Sequence, residues 1–229
     1  MNTTKTIVFV GPTLAAAEVR ALVPGADVRP PASVGEILDI ALGKRRPARI
    51  ALIDGYFERM AAVWHKELLL AMERGIVVYG AASMGALRAA ELAPFGMIGV
   101  GAIYKAFVSG ELICDDEVAV AHLPAEQGYR SISDALVTIR HNLALARTAR
   151  TITKASHDRL LASARARFYR DRTWHALVAV EPALASHMLV DLKAVDARAL
   201  LAALAKVRTV KRPVTVPRTW ALRQLIAVR

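Results

Sequence analysis

The sequence predicts an α/β protein: an N-terminal domain with helices layered on a parallel sheet, followed by a mainly α-helical C-terminal part. Two observations predict this. Three short apolar runs rich in β-branched residues, at 6–10, 50–53 and 76–79, are separated by segments of helical periodicity. From about residue 131 the character changes to successive Ala-, Leu- and Arg-rich helical stretches. The division expected from this change is an α/β core over 1–130 and a basic helical region over 131–229.

The elements follow in order. The first run, 6–10, reads as a buried strand closed by Gly11-Pro12. Residues 14–22 read as a helix that Thr13 can cap. Pro30-Pro31 ends any element begun at Asp27. Ser33 with Glu36 three residues on is a capping-box pattern, predicting a helix over 33–42. The second strand, 50–53, ends at Asp54-Gly55. A helix over 64–74 stops at Gly75, and the third strand, 76–79, runs into the small-residue turn Gly80-Ala81-Ala82-Ser83. A helix over 84–92 follows, then a Gly-rich connection over 94–101, a helix over 104–108 and a short strand at 118–120. Further helices are predicted over 133–150, 156–169, 174–180, 196–207 and 221–228.

Composition limits the function classes. No window of membrane-spanning length runs apolar without charge, and the polar start of the chain leads directly into the first strand without a signal-peptide pattern. A single cysteine, Cys114, forbids an internal disulfide, so a cytoplasmic location is expected. The net charge of +11 is uneven: residues 1–130 hold 13 Lys and Arg against 14 Asp and Glu, while 131–229 hold 18 against 6. A basic half can dock an acidic protein, or be a solvated Arg-rich surface. Its cations are not interleaved with aromatics as a nucleic-acid platform requires, so nucleic acid is the weakest of the three readings.

The strongest chemical signal is Tyr79 to Ala86. A strand feeds a tight turn that holds Ser83, small residues stand two before and two after it, and a helix begins. This is the setting of a nucleophilic serine on a strand-to-helix elbow, whose helix start offers N–H groups to a developing oxyanion. The plain alternative is that Ser83 is an N-cap. His65, near the start of the preceding helix, and Asp54, after the second strand, fall where the carboxyl ends of the strands form a crevice. Asp54, His65 and Ser83 are therefore candidates for orienting acid, base and nucleophile, with Lys66 or Glu67 as substitutes according to helix phase. Gly11 and Pro12 open onto the same edge. Gly96, Gly99 and Gly101 do not follow a strand in dinucleotide-fingerprint order, so no cofactor is expected. Asp115, Asp116 and Glu117 are weighed as a solvated loop ahead of a metal site, and Cys114 lacks any metal-ligand spacing.

The runs Val8 to Pro12, Arg29 to Ala32, Leu52 to Phe57, Ala62 to Glu67, Gly80 to Leu92, Phe95 to Met97, Asp115 to Val120 and Gly128 to Arg130 together resemble the TfuA-like family. Two departures are mild: Cys114 stands where the family pattern has an acid, and Met60-Ala61 where a proline often precedes Ala62. The resemblance implies a role beside a YcaO enzyme in peptide-backbone thioamidation. It implies hydrolysis of a ThiS-like ubiquitin-fold sulfur carrier protein ending in a thiocarboxylate, which releases sulfide for YcaO. An adaptor that recruits the carrier without catalysis is the alternative. In the enzyme reading Ser83, His65, Asp54 and Lys66 are the catalytic set, and Gly11, Pro12, Met84, Gly85, Arg88 and Glu91 line the substrate site. Lys66, Arg88 and protonated His65 would offset the thiocarboxylate charge, and backbone N–H groups near Met84 and Gly85 would hold the oxyanion. The reaction would pass through an acyl-serine or by direct attack of water.

Overall fold

The computed structural model describes residues 5–57, 60–204 and 215–227. Five strands, β1 Thr6–Phe9, β2 Asp27–Arg29, β3 Arg49–Leu52, β4 Val77–Gly80 and β5 Ile98–Gly99, form one sheet in the order β2-β1-β3-β4-β5. Every pairing is parallel, with Ile7 opposite Ile50 and Ile50 opposite Val78. The helices are α1 Ala16–Leu22, α2 Glu36–Leu42, α3 His65–Glu73, α4 Met84–Leu92, α5 Ala102–Ser109, α6 Leu136–Thr148, α7 Lys154–Ala166, α8 Trp174–Val180, α9 Leu192–Leu204 and α10 Trp220–Ala227. The predicted α/β architecture with a helical C-terminal part is what forms. None of the described helices is long and apolar enough to cross a membrane.

The chain divides into two compact units: Met1–Leu112 with Ala194–Arg229, and Ile113–Lys193. Composition instead changes near residue 130. Composition records where Arg-rich helices begin, whereas compactness records which segments pack together, and residues 194–204 of α9 pack with the sheet-bearing unit.

In the sheet-bearing unit, side-chain alternation along β1 sorts two cores. Ile7 and Phe9 join one core with residues of α2, α3, α4 and α10, including Ile37, Leu68, Leu92 and Leu222. Val8 and Val10 join the other with Val19 of α1 and Ala197, Leu200 and Leu201 of α9. The central strands are apolar on both faces for this reason. In the second unit Leu136, Ile139, Leu143, Leu160, Trp174 and Leu177 join α6, α7 and α8 around a separate core.

Several local expectations are corrected. Helix α1 begins two residues late because the Thr13 hydroxyl is taken by Asp54 rather than capping the helix. The Ser33–Glu36 contact exists, with Ser33 N and Oγ donating to Glu36 Oε2 at 2.6 and 2.9 Å, but α2 starts only after Gly35, whose φ of 93° needs a glycine. The segment 98–99, read as a connection, pairs with β4 as an edge strand. The strand expected at 118–120 does not form. Residues 115–117 make a single 3-10 turn, and Lys193 Nζ donates to the Val118 carbonyl at 3.0 Å. Residues 205–207 and Val228, the ends of two predicted helices, lie outside the described residues.

Candidate active site

The end of β3 is the mount on which the site is assembled. The order β2-β1-β3 reverses chain direction across the sheet between β1 and β3, the point where α/β folds open a crevice at the strand carboxyl ends. Asp54 sits there, 1% exposed. Its Oδ2 accepts from Gly11 N at 2.8 Å and Thr13 N at 3.1 Å, and its Oδ1 from Thr13 Oγ1 at 2.6 Å. The Asp54 carbonyl accepts from Ala32 N, which ties down the loop after β2. Leu52 O accepts from Ala81 N at 3.2 Å and Ile53 O from Gly85 N at 3.1 Å, seating the turn after β4. Gly55 completes the seat, since a Cβ there would stand 2.8 Å from Met84 Cγ.

The turn after β4 is a strained elbow. Ala82 has φ of 66°, and Ser83 N donates to Ala81 O at 2.9 Å, an i to i+2 bond that closes a γ-turn of the rare, strained kind. Ser83 is the N-cap residue of α4, yet its hydroxyl makes no capping bond. Ser83 is 3% exposed, and its oxygen is not one of the fully sealed, unpartnered side-chain atoms, which among the described residues belong to Arg49, Tyr79, Glu117 and Arg140. Helix α4 approaches β3 so closely that a Cβ on Gly85 would collide with the Leu52 carbonyl, and one on Gly80 with the Gly85 carbonyl. Because Gly85 N donates to Ile53 O, it is not free to hold an oxyanion as the sequence predicts. Met84 is 1% exposed and packs in the core rather than lining an open site.

The expected Asp54–His65–Ser83 relay does not form. The bonds from Gly11 and Thr13 engage Asp54. His65 Nε2 instead lies 2.8 Å from Glu91 Oε2, and Arg88 NH1 donates to the same oxygen at 2.7 Å. Arg88 NH1 stands 3.4 Å from His65 Nε2, and Arg88 Nε donates to Val63 O at 3.0 Å. Glu91 lies eight residues beyond Ser83, about 12 Å along the axis of α4. The displacement has a simple origin. Helix α3 begins where the sequence predicts, but Gly55, Ala61 and Ala62 ahead of it are pinned to 32–34 by the Ala32–Gly55 and Ser33–Ala62 bridges and the Val34 N–Ala61 O bond. This carries His65 toward the far end of α4.

A separation of 2.8 Å between Nε2 and a carboxylate oxygen requires a proton between them, so Nε2 donates and the neutral ring keeps its lone pair on Nδ1. Burial pushes the Glu91 carboxyl up, but hydrogen bonds from His65 and Arg88 and their charges outweigh it and hold the group below the usual range. The side chains of His65 and Glu91 are 46% and 36% exposed, and that of Arg88 is 13%. An imidazole oriented by a carboxylate, with a guanidinium beside it, is therefore presented to solvent.

The remaining candidates separate cleanly. Lys66 is half-buried beside His65 in sequence. Glu67, entertained as its substitute, is fully buried and structural: its Oε2 accepts from Gly35 N and Leu38 N, and its Oε1 from Trp64 N. Sequence could have found this, since Glu67 stands at the third position of α3, where a capping-box acid belongs. In the second unit Asp116 pairs with the buried Arg172 at 2.6 Å and Glu117 with Arg140 at 2.5 Å. Among the described residues no group of three or more His, Cys, Asp or Glu could hold a metal ion.

The model of a protein family described as TfuA-like protein matches residues 54–173, a span that opens at Asp54 and includes His65, Ser83, Arg88 and Glu91. No curated protein matches the sequence. A match over half of the chain, carrying both the elbow and the His65–Glu91–Arg88 cluster, places this chain in the TfuA-like family.

Proposed function

We propose that the protein is the sulfur-supplying partner of a YcaO enzyme in peptide-backbone thioamidation, and that it hydrolyses a thiocarboxylated ubiquitin-fold carrier by direct attack of water at His65. The observation that carries this reading is the 2.8 Å His65–Glu91 contact with Arg88 bound to the same carboxylate. His65 Nδ1 takes a proton from water, and the water oxygen bonds to the thiocarboxylate carbon. Arg88 offsets the negative charge that makes this carbonyl a poor electrophile. The C–S bond breaks, and the departing sulfur takes up the protons. One thiocarboxylate and one water give one carboxylate and one hydrogen sulfide.

A second reading draws on the strained turn at Ala82. Ser83 attacks the same carbonyl and its hydroxyl proton leaves on sulfur, giving an acyl-serine and hydrosulfide, and water then hydrolyses the ester. This route needs no base bonded to Ser83, and among the described residues none is. Sulfide release from purified thiocarboxylated carrier, combined with mass spectrometry of the acid-quenched protein, separates the routes. The first reading expects Ser83→Ala to release sulfide at near the wild-type rate, His65→Gln to lose about 100-fold or more, and no acyl adduct to accumulate. An adduct on Ser83 and an inactive Ser83→Ala protein establish the second. Unchanged release by both variants, or no release by the wild type, leaves the adaptor role.

A further inference from the structure

The Glu67 side chain is fully buried, and it binds the chain in two separate places. Oε1 accepts from Trp64 N at 3.2 Å, in the turn that opens α3. Oε2 accepts from Gly35 N at 2.7 Å and Leu38 N at 3.2 Å, at the start of α2. Closing a helix start needs only the first of these bonds, and a solvated glutamate or glutamine supplies it. Burying a carboxylate carries a desolvation cost that is offset only by donors, here the three backbone N–H groups. Two oxygens that accept without donating are a property of the carboxylate, and an amide cannot reproduce them.

The place of these bonds in the chain gives them a consequence for the reacting groups. His65 directly follows the two residues by which the chain is fixed ahead of α3. Trp64 N is held by Glu67, and Val63 O accepts from Arg88 Nε at 3.0 Å. Leu68 and Leu70 of α3 join the same core as Ile37 and Leu38 of α2. Apolar packing is non-directional and leaves a helix able to slide or turn slightly on its neighbour. Hydrogen bonds are directional, so the Glu67 bonds set that last adjustment. The 2.8 Å contact from His65 Nε2 to Glu91 Oε2 spans α3 and α4 and depends on it.

We infer that Glu67 is a positioning residue: its carboxylate fixes the start of α3 against the start of α2, so that the His65 ring meets Glu91. It touches no reacting atom and acts through His65. This inference rests on the hydrolytic reading for its effect on turnover, but not for its effect on the His65–Glu91 contact.

The test is Glu67→Gln, whose amide keeps the two α2 bonds only by turning its NH2 group toward Trp64 N–H, donor against donor. Burial pushes the Glu91 carboxyl up while His65 and Arg88 hold it down, so loss of the His65 bond lets its titration midpoint rise. NMR titration of the Glu91 carboxyl carbon and sulfide release from the thiocarboxylated carrier are measured in wild type, Glu67→Gln, His65→Ala and the double variant, at a temperature where urea titration shows each folded. Glu67→Gln is expected to raise the Glu91 midpoint in the same direction as His65→Ala, and to lower kcat about tenfold or more with KM unchanged. Added to His65→Ala, it should leave the midpoint where it stands and cost less than about twofold in rate. An unmoved Glu91 midpoint in Glu67→Gln overturns the inference. So does an undiminished rate loss in the His65→Ala background, since Glu67 would then act on the fold at large. If the wild type releases no sulfide, the hydrolytic reading fails, and the Glu91 midpoint alone decides the positioning role. Glu67→Asp keeps both acceptor oxygens but is one methylene too short to span Trp64 and Gly35, and it replaces Glu67→Gln, with the same expected results, if the glutamine variant does not fold.

Discussion

Replacing Gly85 with alanine tests whether the elbow is held by direct backbone contact. Ideal placement of a Cβ at Gly85 puts it into the Leu52 carbonyl group and within 3.3 Å of Ile53 Cα. Neither neighbour is the end of a flexible side chain; both belong to β3, which is paired on both sides. Helix α4 must therefore move outward. Overpacking of this kind costs about 1–3 kcal/mol. The movement also strains the 3.1 Å bond from Gly85 N to Ile53 O, a loss of about 1 kcal/mol. The sum is roughly 2–4 kcal/mol, which exceeds the small gain in intrinsic helix propensity from glycine to alanine. Urea unfolding followed by circular dichroism measures it. Gly43→Ala serves as the control: its φ of −61° suits alanine and its nearest neighbours stand at 3.3 and 3.4 Å, so a change below about 1 kcal/mol is expected. A Gly85→Ala protein within about 0.5 kcal/mol of wild type would refute the close approach of α4 to β3.

Asp54→Ala should destabilise the protein by roughly 2–4 kcal/mol in the same assay, because it leaves Gly11 N, Thr13 N and Thr13 Oγ1 without their buried acceptor. A variant of wild-type stability that has lost only turnover would restore the catalytic role expected from sequence. The Glu91 carboxylate has a lowered value in the fold, so its contribution is present above the ordinary carboxylate value and is lost as pH falls through the lowered one. NMR titration of the Glu91 side-chain carboxyl carbon should therefore show it ionised at neutral pH and protonated only below the usual glutamate range; protonation above that range contradicts the pairing. The Tyr79 hydroxyl is sealed and unpartnered among the described residues, and burial pushes it up, with the Arg49 charge opposing. Tyr79→Phe should accordingly match or exceed wild-type stability by up to about 1 kcal/mol, and a loss of that size would reveal a partner for the hydroxyl.

How far the sequence could be read follows from what each feature depends on. The elbow was legible because it is local: a strand, small residues around Ser83, and a helical period all lie within 77–92. The central strands were legible because each is buried on both faces, which leaves a short unbroken apolar run. Asp54 was placed on the correct edge of the sheet, but its partners were not legible. They follow from β1 and β3 being neighbours, a property of strand order that periodicity does not encode. The partner of His65, Glu91 rather than Asp54, was not legible for a related reason. Helix phase was readable, whereas the placement of Gly55, Ala61 and Ala62 ahead of α3 depends on contacts with Ala32, Val34 and Ser33 that no local pattern encodes. The edge strand at 98–99 escaped because two residues, one of them glycine, carry no alternation. The run at 118–120 misled in the opposite sense: it is apolar and Val118 and Ala119 are buried, but it pairs with no neighbouring strand.

The imidazole of His65 is the general base of the proposed hydrolysis. Because that side chain is 46% exposed, the space left by His65→Ala is open to a small base from solution. Sulfide release from the thiocarboxylated carrier should fall about 100-fold or more in His65→Ala and recover in proportion to added imidazole, with the wild type unaffected by it. Release by His65→Ala at the wild-type rate, or a loss that imidazole leaves untouched while the Ser83 acyl adduct still forms, would contradict it.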